Sequence, residues 1–228
     1  MPSVFAIVAL AGLAARPAPP SFQPHPLSPF ERSKAEALLR GRLPCLGCHE
    51  LDGQGGQIGP RLDKLRVRPV DFVYNMIRDP QGTAPGTIMP RVPMDSATLE
   101  LVANYLLERA TPAPDSEARV AADLGSDSTP AASYARRCAA CHGDRGGGDG
   151  SNARYLPVRP TAHADSALMS ARTDDELFDT IFAGGYVMNL SNRMPPFGQT
   201  LTRPQIWALV RYLRTLCRCA EPAWARGS

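Results

Sequence analysis

The chain has 228 residues, a formal net charge of +3 and 21% charged residues. A charge this small does not favour binding to nucleic acid or to an anionic membrane surface, and no run reaches the ~18 apolar residues of a membrane span. Collagen, coiled-coil and polytopic membrane proteins are excluded. The 23 prolines and 19 glycines predict a loop-rich protein with one large domain or two small ones.

The N-terminal sequence predicts a secretory targeting signal. Residues 4–15 are an apolar run that ends in small residues (VFAIVALAGLAA), similar to the hydrophobic region of a secretory signal. An uncleaved anchor and a buried core element are the alternatives. Residues 16–29 are rich in proline and predict an extended arm.

Two copies of one short motif carry the chemistry. Cys45-Leu46-Gly47-Cys48-His49 and Cys138-Ala139-Ala140-Cys141-His142 both read C-x-x-C-H, the attachment pattern of c-type haem. Two thiols about one helical turn apart add to the two vinyl groups of one haem, and the adjacent histidine becomes the proximal iron ligand. The sequence therefore predicts two covalently bound haem c (iron) groups, held by Cys45, Cys48 and His49 and by Cys138, Cys141 and His142.

Two other uses of these cysteines are open. Four cysteines can form one zinc site, and a C-x-x-C pair can be a redox-active dithiol. Neither use explains why histidine follows directly in both copies, or why a Met-Pro pair lies downstream of each.

The elements around the first motif follow a simple order. A helix is predicted over residues 31–42, and a glycine-rich loop follows the motif over residues 52–60. A helix with an apolar stripe should start near Pro69 and end before Pro80. After a loop with Met89, Asp95 or Ser96 should cap the last helix.

The second motif has the same surroundings. A short helix leads into Cys138, and residues 143–150 form a glycine-rich loop. Residues 173–176 (T-x-x-E) and 202–205 (T-x-x-Q) are capping boxes that predict two helices, with Met194 in the loop between them. Two segments with one order of elements indicate an internal duplication.

The two segments resemble the tandem-domain dihaem class I cytochromes c over residues 30–110 (the first repeat) and 128–219 (the second repeat). The resemblance implies an all-α fold of two domains, each with a few helices around a covalent haem. The expected organisation is a signal- or anchor-like segment with its arm (1–29), domain 1 (30–110), a linker (111–127) and domain 2 with a C-terminal tail (128–228). Pro, Ser, Ala and Asp dominate the linker.

The resemblance also implies iron ligands. His49 and His142 are the proximal ligands. Met89 and Met194 lie 40 and 52 residues after them, and each is followed by proline, as in the family's distal methionine loop. A thioether favours Fe(II), so a His/Met pair raises the reduction potential. Met94 and Met188 are nearby rivals for the distal position, Met76 is expected in the core, and Met169 is unassigned.

Residues beside the ligands are predicted as well. Pro60, in a Gly-Pro-Arg-Leu segment, resembles the family's proline whose carbonyl accepts a hydrogen bond from the proximal histidine, here His49. For His142 the candidates are Pro157 and Pro160. The basic residues at 61, 64, 66 and 68 could bind haem propionates or a partner, or form a solvated face.

The remaining residues leave further expectations. Tyr134 lies four residues before Cys138, where the family places an aromatic that contacts the last helix, with Tyr212 or Trp207 as partner. Gly41 holds that position in the first repeat, so its first helix should end early or pack differently. His25 and His163 are expected on the surface. Cys217 and Cys219 can be a buried thiol, a local disulfide or a link to another subunit.

The predicted function is single-electron transfer between redox partners by a dihaem c-type cytochrome in the periplasm. A role as a subunit of a respiratory or photosynthetic complex is compatible with this prediction. No catalytic residues are predicted, because His/Met coordination leaves no open iron position. The expected partners are donor and acceptor redox proteins that are membrane complexes, and no nucleic acid partner is expected. Membrane association would use the N-terminal segment or partner subunits. The alternatives are an electron-accepting subunit of a dehydrogenase and a dihaem enzyme such as a peroxidase.

Overall fold

The computed structural model describes residues 22–67, 70–112 and 129–226, and within these ranges the protein is helix-rich. This agrees with the predicted all-α class. The helices are α1 (Pro29–Gly41), α2 (Val70–Arg78), α3 (Pro80–Thr83), α4 (Ser96–Arg109), α5 (Pro130–Arg137), α6 (Ala139–His142), α7 (Ser166–Ser170), α8 (Asp174–Ala183) and α9 (Arg203–Cys217).

The strands in the described ranges are only two residues long. β1 (Glu50–Leu51) pairs antiparallel with β2 (Gln54–Gly55), and β3 (Arg66–Val67) pairs parallel with β4 (Thr111–Pro112). The described ranges also contain three short 3₁₀ helices, at Pro44–Gly47, Leu62–Lys64 and Ala153–Tyr155. The strands close loops and do not form a layer of the core.

Side-chain caps fix the starts of several helices. The Oγ1 atoms of Thr173 and Thr202 accept hydrogen bonds from the third residue of α8 and α9, so both predicted capping boxes are present. Asp95, and not Ser96, caps α4. Ser28 and Glu31 form a third capping box at the start of α1, which therefore begins at Pro29, two residues before the predicted start.

The first repeat has its own core. Helices α1 and α2 pack against α4, with Leu39, Val102 and Leu106 among the buried side chains. The described part of the proline-rich arm, residues 22–28, is extended and lies against this core. Phe22 stacks on Tyr74 with ring centroids 4.6 Å apart.

The second repeat is built around α9. Helices α5, α7 and α8 all pack against it, and the buried side chains include Ile206 and Leu209. Tyr134 contacts Tyr212 with ring centroids 5.3 Å apart, which confirms one of the two predicted partners. Trp207 stacks on Phe178 instead, at 4.7 Å.

The helix before the motif differs between the repeats, as the sequence predicted. α5 ends at Arg137, directly before Cys138, whereas α1 ends at Gly41, four residues before Cys45. Pro44 lies at the start of a 3₁₀ helix that carries the first motif. Proline fixes φ and lacks a backbone N–H, so it suits the first turn of a helix and not a continuation of α1.

The two repeats contact one another directly. The backbone N–H of Arg91 donates to Thr200 Oγ1 at 3.0 Å, and Asn192 Nδ2 donates to the carbonyl of Leu43 at 3.3 Å. The predicted linker lies mostly outside the described residues, as do the N-terminal apolar run and the first part of the arm. Within the described residues, no helix is long and apolar enough to cross a membrane.

Candidate haem-binding site

The two C-x-x-C-H motifs have the same local backbone geometry. The histidine N–H donates to the carbonyl of the first cysteine at 2.9 Å in the first motif and 2.8 Å in the second. The N–H of the second cysteine donates to the same carbonyl at 3.2 and 3.1 Å. One helical turn in each motif thus places both thiols and the histidine at the wall of one cavity.

That cavity has a volume of about 890 Å³ and is shared by both motifs. Its wall contains all six motif residues: Cys45, Cys48, His49, Cys138, Cys141 and His142. Most of the remaining lining side chains are apolar, which suits a large apolar ligand and keeps water out.

A backbone carbonyl lies beside Nδ1 of each motif histidine. His49 Nδ1 lies 2.8 Å from the Pro60 carbonyl, the contact that the sequence predicted. His142 Nδ1 lies 2.9 Å from the carbonyl of Thr161, so Pro157 and Pro160 were both the wrong candidates. With Nδ1–H donating to a carbonyl, Nε2 keeps the lone pair that binds a metal.

The electrostatic environment keeps both histidines neutral. Burial lowers the pKa of His49 and of His142, and this effect opposes the hydrogen bonds to Pro60 and Thr161, which raise it. Neutral imidazole is the form that ligates iron. A methyl group at position 59 would overlap the His49 ring, so glycine is needed for the loop to approach the histidine.

The thiols do not have the properties of a dithiol catalyst. The four motif cysteines are reduced, and burial raises the pKa of Cys45 to about 11 and that of Cys48 to about 12. Catalytic dithiols have lowered pKa values, because the thiolate is the nucleophile. Within the described residues, no three His, Cys, Asp or Glu side chains are arranged to hold a metal ion.

Both predicted distal methionines lie in the cavity wall. Gln81 Nε2 donates to the Met89 carbonyl at 2.6 Å, and the N–H of Gly185 donates to the Met194 carbonyl at 3.0 Å. Both loops are therefore held at their backbones. Three other methionines also line the cavity, namely Met76, Met94 and Met169, but the rival Met188 does not.

His163 is not the surface histidine that we expected. Its ring stacks on His142 with centroids 4.0 Å apart and planes 13° apart, and its Nδ1 lies 3.2 Å from the Tyr134 hydroxyl. Burial, followed by the effect of His142, lowers the pKa of His163 to about 2. His25, in contrast, is exposed as expected.

A buried cation fits the carboxylates of a haem. Arg193 lines the cavity, and its Nε and Nη1 atoms are buried without a hydrogen-bond partner among the described residues. Burial lowers the pKa of Arg193. The backbone carbonyl of Arg193 lies beside Gly47, so this residue of the second repeat borders the first motif. Of the predicted basic run, Lys64 lines the cavity, whereas Arg61 is paired with Glu50 and Asp63.

The last two cysteines form a local disulfide, Cys217–Cys219, at the end of α9. Cys217 is buried in the second core, and Arg218 between them adopts a left-handed conformation that ends the helix. Of the three possibilities left open by the sequence, the structure has the local disulfide.

Comparison with known proteins identifies part of the chain. Residues 125–213 match the family described as cytochrome c oxidase, cbb3-type, subunit III. No curated protein matches the sequence significantly. A chain of the Kuenenia stuttgartiensis reducing HAO-like protein complex is 18% identical, with 75% of this chain and 79% of that chain covered at a TM-score of 0.32. The family match supports a cytochrome c domain over residues 125–213, which implies covalently bound haem c and a role in electron transfer.

Proposed function

We propose that the protein is a periplasmic dihaem c-type cytochrome that carries single electrons between a donor and an acceptor protein. One observation, in addition to the family match, supports a second haem. The motif at 45–49, outside the matched residues, has the same hydrogen-bond geometry as the motif at 138–142, and each histidine has a carbonyl on Nδ1. The same geometry supports the same cofactor chemistry in both repeats.

The residues of the chain hold and shield the cofactor. Cys45 and Cys48 would anchor one haem and Cys138 and Cys141 the other, and His49 and His142 would present Nε2 to the two irons. The apolar wall would favour the less charged reduced state by excluding water, and thioether ligation by Met89 and Met194 would act in the same direction. When bound, the haem supplies the Fe(III)/Fe(II) couple that accepts and releases one electron.

The rim of the cavity provides the exit route for the electron. Val158 and Leu190 line the cavity and are 61% and 46% exposed. An apolar rim that reaches solvent allows a partner protein to approach within outer-sphere transfer distance. Partner proteins on the membrane or in the periplasm could dock at this apolar rim. Electron transfer there requires no catalysis on a small substrate.

The haem count tests the proposal. Purified protein should give a c-type pyridine haemochrome at two haems per chain, and the haem should survive acid-acetone extraction. The variants Cys45→Ala/Cys48→Ala and Cys138→Ala/Cys141→Ala are a matched pair, and each should retain one covalent haem. One haem in the parent protein, lost only in the second variant, would refute the dihaem assignment.

Carbon monoxide separates a carrier from a dihaem enzyme. With methionine on both irons, the reduced protein should bind carbon monoxide slowly or not at all. Immediate binding at one haem would show an open iron position and would favour a peroxidase-like enzyme instead.

A further inference from the structure

A buried amide connects the two motifs. Asn152 follows the glycine-rich loop of the second repeat and is 2% exposed. Its Oδ1 accepts a hydrogen bond from the N–H of Gln57 at 2.8 Å, and its Nδ2 donates to the carbonyl of Gly47, also at 2.8 Å. Both partners belong to the first repeat, and Gly47 lies within the first C-x-x-C-H motif.

The same amide also contacts the second motif. Asn152 Nδ2 lies 3.3 Å from Cys141 Sγ, the sulfur that would carry the second thioether. The orientation of the amide is fixed by its partners, because only oxygen can accept from a backbone N–H and only nitrogen can donate to a carbonyl. One side chain thus bonds to the attachment segments of both haems.

The surrounding backbone is shaped to admit this side chain. A methyl group at position 56 would lie 2.8 Å from both Asn152 Nδ2 and Oδ1, so glycine is needed there. A methyl group at position 47 would overlap the carbonyl of Arg193. The lack of a side chain at both glycines of the first repeat leaves space for residues of the second repeat, so the contact is tightly packed.

We propose that Asn152 is a positioning residue that fixes the two haem-attachment motifs relative to each other and thereby sets electron exchange between the haems. The inference rests on the proposed dihaem function. In the exchange, one electron leaves Fe(II) of one haem and reduces Fe(III) of the other, with no bond made or broken. The rate depends on the separation and orientation of the two groups, which Asn152 holds through Gly47, Gln57 and Cys141.

The hydrogen bond to Cys141 adds an electrostatic effect. The positive end of the Nδ2–H dipole lies at the edge of the second haem site, where it favours the less positive Fe(II) state. Hydrogen bonds around a metal centre tune its reduction potential in this way. Loss of the amide should therefore lower the potential of the second haem and leave that of the first nearly unchanged.

The test compares Asn152→Ala with Asn192→Ala in the full-length dihaem protein. Asn192 also donates a hydrogen bond across the junction, to the carbonyl of Leu43, but it contacts neither motif in the described hydrogen bonds. Three quantities are measured: the two potentials, the rate of electron exchange after flash reduction, and hydrogen exchange at the Gln57 amide.

Asn152→Ala should slow electron exchange between the haems severalfold and lower the reduction potential of the second haem. It should also speed hydrogen exchange of the Gln57 amide with solvent. Asn192→Ala should change none of these. If Asn152→Ala fails to assemble, Asn152→Asp keeps the acceptor for Gln57 but has no N–H donors, and it should slow exchange while the Gln57 amide stays protected. An unchanged rate of electron exchange in the Asn152 variants would overturn the inference. Equal slowing of electron exchange in the Asn152 and Asn192 variants would overturn it as well. A parent protein with one haem would refute the dihaem function. Hydrogen exchange of the Gln57 amide would still show whether Asn152 forms its hydrogen bond to the first repeat.

Discussion

The hydroxyl of Tyr134 gives the sharpest stability test of the second repeat. Tyr134 is 1% exposed, its hydroxyl donates to the Gly143 carbonyl at 3.1 Å, and its oxygen lies 3.2 Å from His163 Nδ1. In Tyr134→Phe the ring contact with Tyr212 remains, but the Gly143 carbonyl and His163 Nδ1 lose their hydrogen bonds to the hydroxyl. Net contributions of 0.5–1.5 kcal/mol per hydrogen bond predict a loss of about 1–3 kcal/mol.

Tyr105→Phe is the matched control. Tyr105 lies ten residues after the cap of α4, as Tyr212 lies ten residues after the cap of α9. It is 4% exposed, and its hydroxyl has no hydrogen-bond partner among the described residues. Removing a buried hydroxyl without a partner should leave stability unchanged or raise it.

Denaturant unfolding of the haem-loaded protein, followed by circular dichroism, measures both changes. The midpoint should fall for Tyr134→Phe at an unchanged slope, which would indicate a change in stability alone. Equal midpoints for the two variants would refute the hydrogen-bond arrangement around Tyr134. Because His163 stacks on His142, Tyr134→Phe should also shift the potential of the second haem, which Tyr105→Phe should not do.

Three further predictions concern the ligands, a buried charge and a helix cap. Met89→Ala and Met194→Ala should each remove about half of the near-infrared Met–Fe(III) band, lower one potential and open that iron to carbon monoxide, since the thioether no longer stabilises Fe(II). Arg193→Leu should lower the potential of the first haem in a redox titration, because a positive charge beside it favours Fe(II); an unchanged potential would place Arg193 away from that haem. Thr202→Ala should cost about 0.5–2 kcal/mol in denaturant unfolding through loss of the α9 cap, and no loss would contradict the capping box.

Local features of the fold could be read from the sequence because they depend on neighbouring residues. The capping boxes at Thr173 and Thr202 need only the residue three positions later, and the structure has both. The early end of α1 at Gly41 follows from Pro44 and from the missing aromatic. The Pro60 carbonyl contact with His49 came from the family resemblance, and the structure has it as well.

Contacts between distant segments could not be read in this way. Thr161 supplies the carbonyl for His142, and the choice among carbonyls in one loop depends on how that loop folds. His163 stacks on His142 because the same loop brings it back over the ring. Asn152 reaches Gly47, 105 positions earlier in the chain, and no local pattern distinguishes such an asparagine from one in a surface turn.

The difference between the repeats suggests how the first one replaces the missing aromatic contact. In the second repeat, Tyr134 fills the space between α5 and α9 beside Tyr212. Gly41 offers no ring to Tyr105, and the guanidinium of Arg109 lies over that ring instead, 5.4 Å from its centroid.

The arm supplies tertiary contacts that the first repeat lacks at position 41. The backbone N–H groups of His25 and Leu27 donate to Asn104 and Glu108 of α4 at 2.9 and 2.7 Å, and Leu27 joins the buried core. In the second repeat, Tyr134 of the same repeat packs against α9. In the first repeat, the arm that precedes α1 makes the corresponding contacts with α4. Deleting residues 22–28 should therefore destabilise the first repeat and leave the second repeat's unfolding midpoint unchanged, as read from haem absorbance in the Cys45→Ala/Cys48→Ala and Cys138→Ala/Cys141→Ala variants. An equal loss in both would mean that the arm stabilises the junction and not the first core.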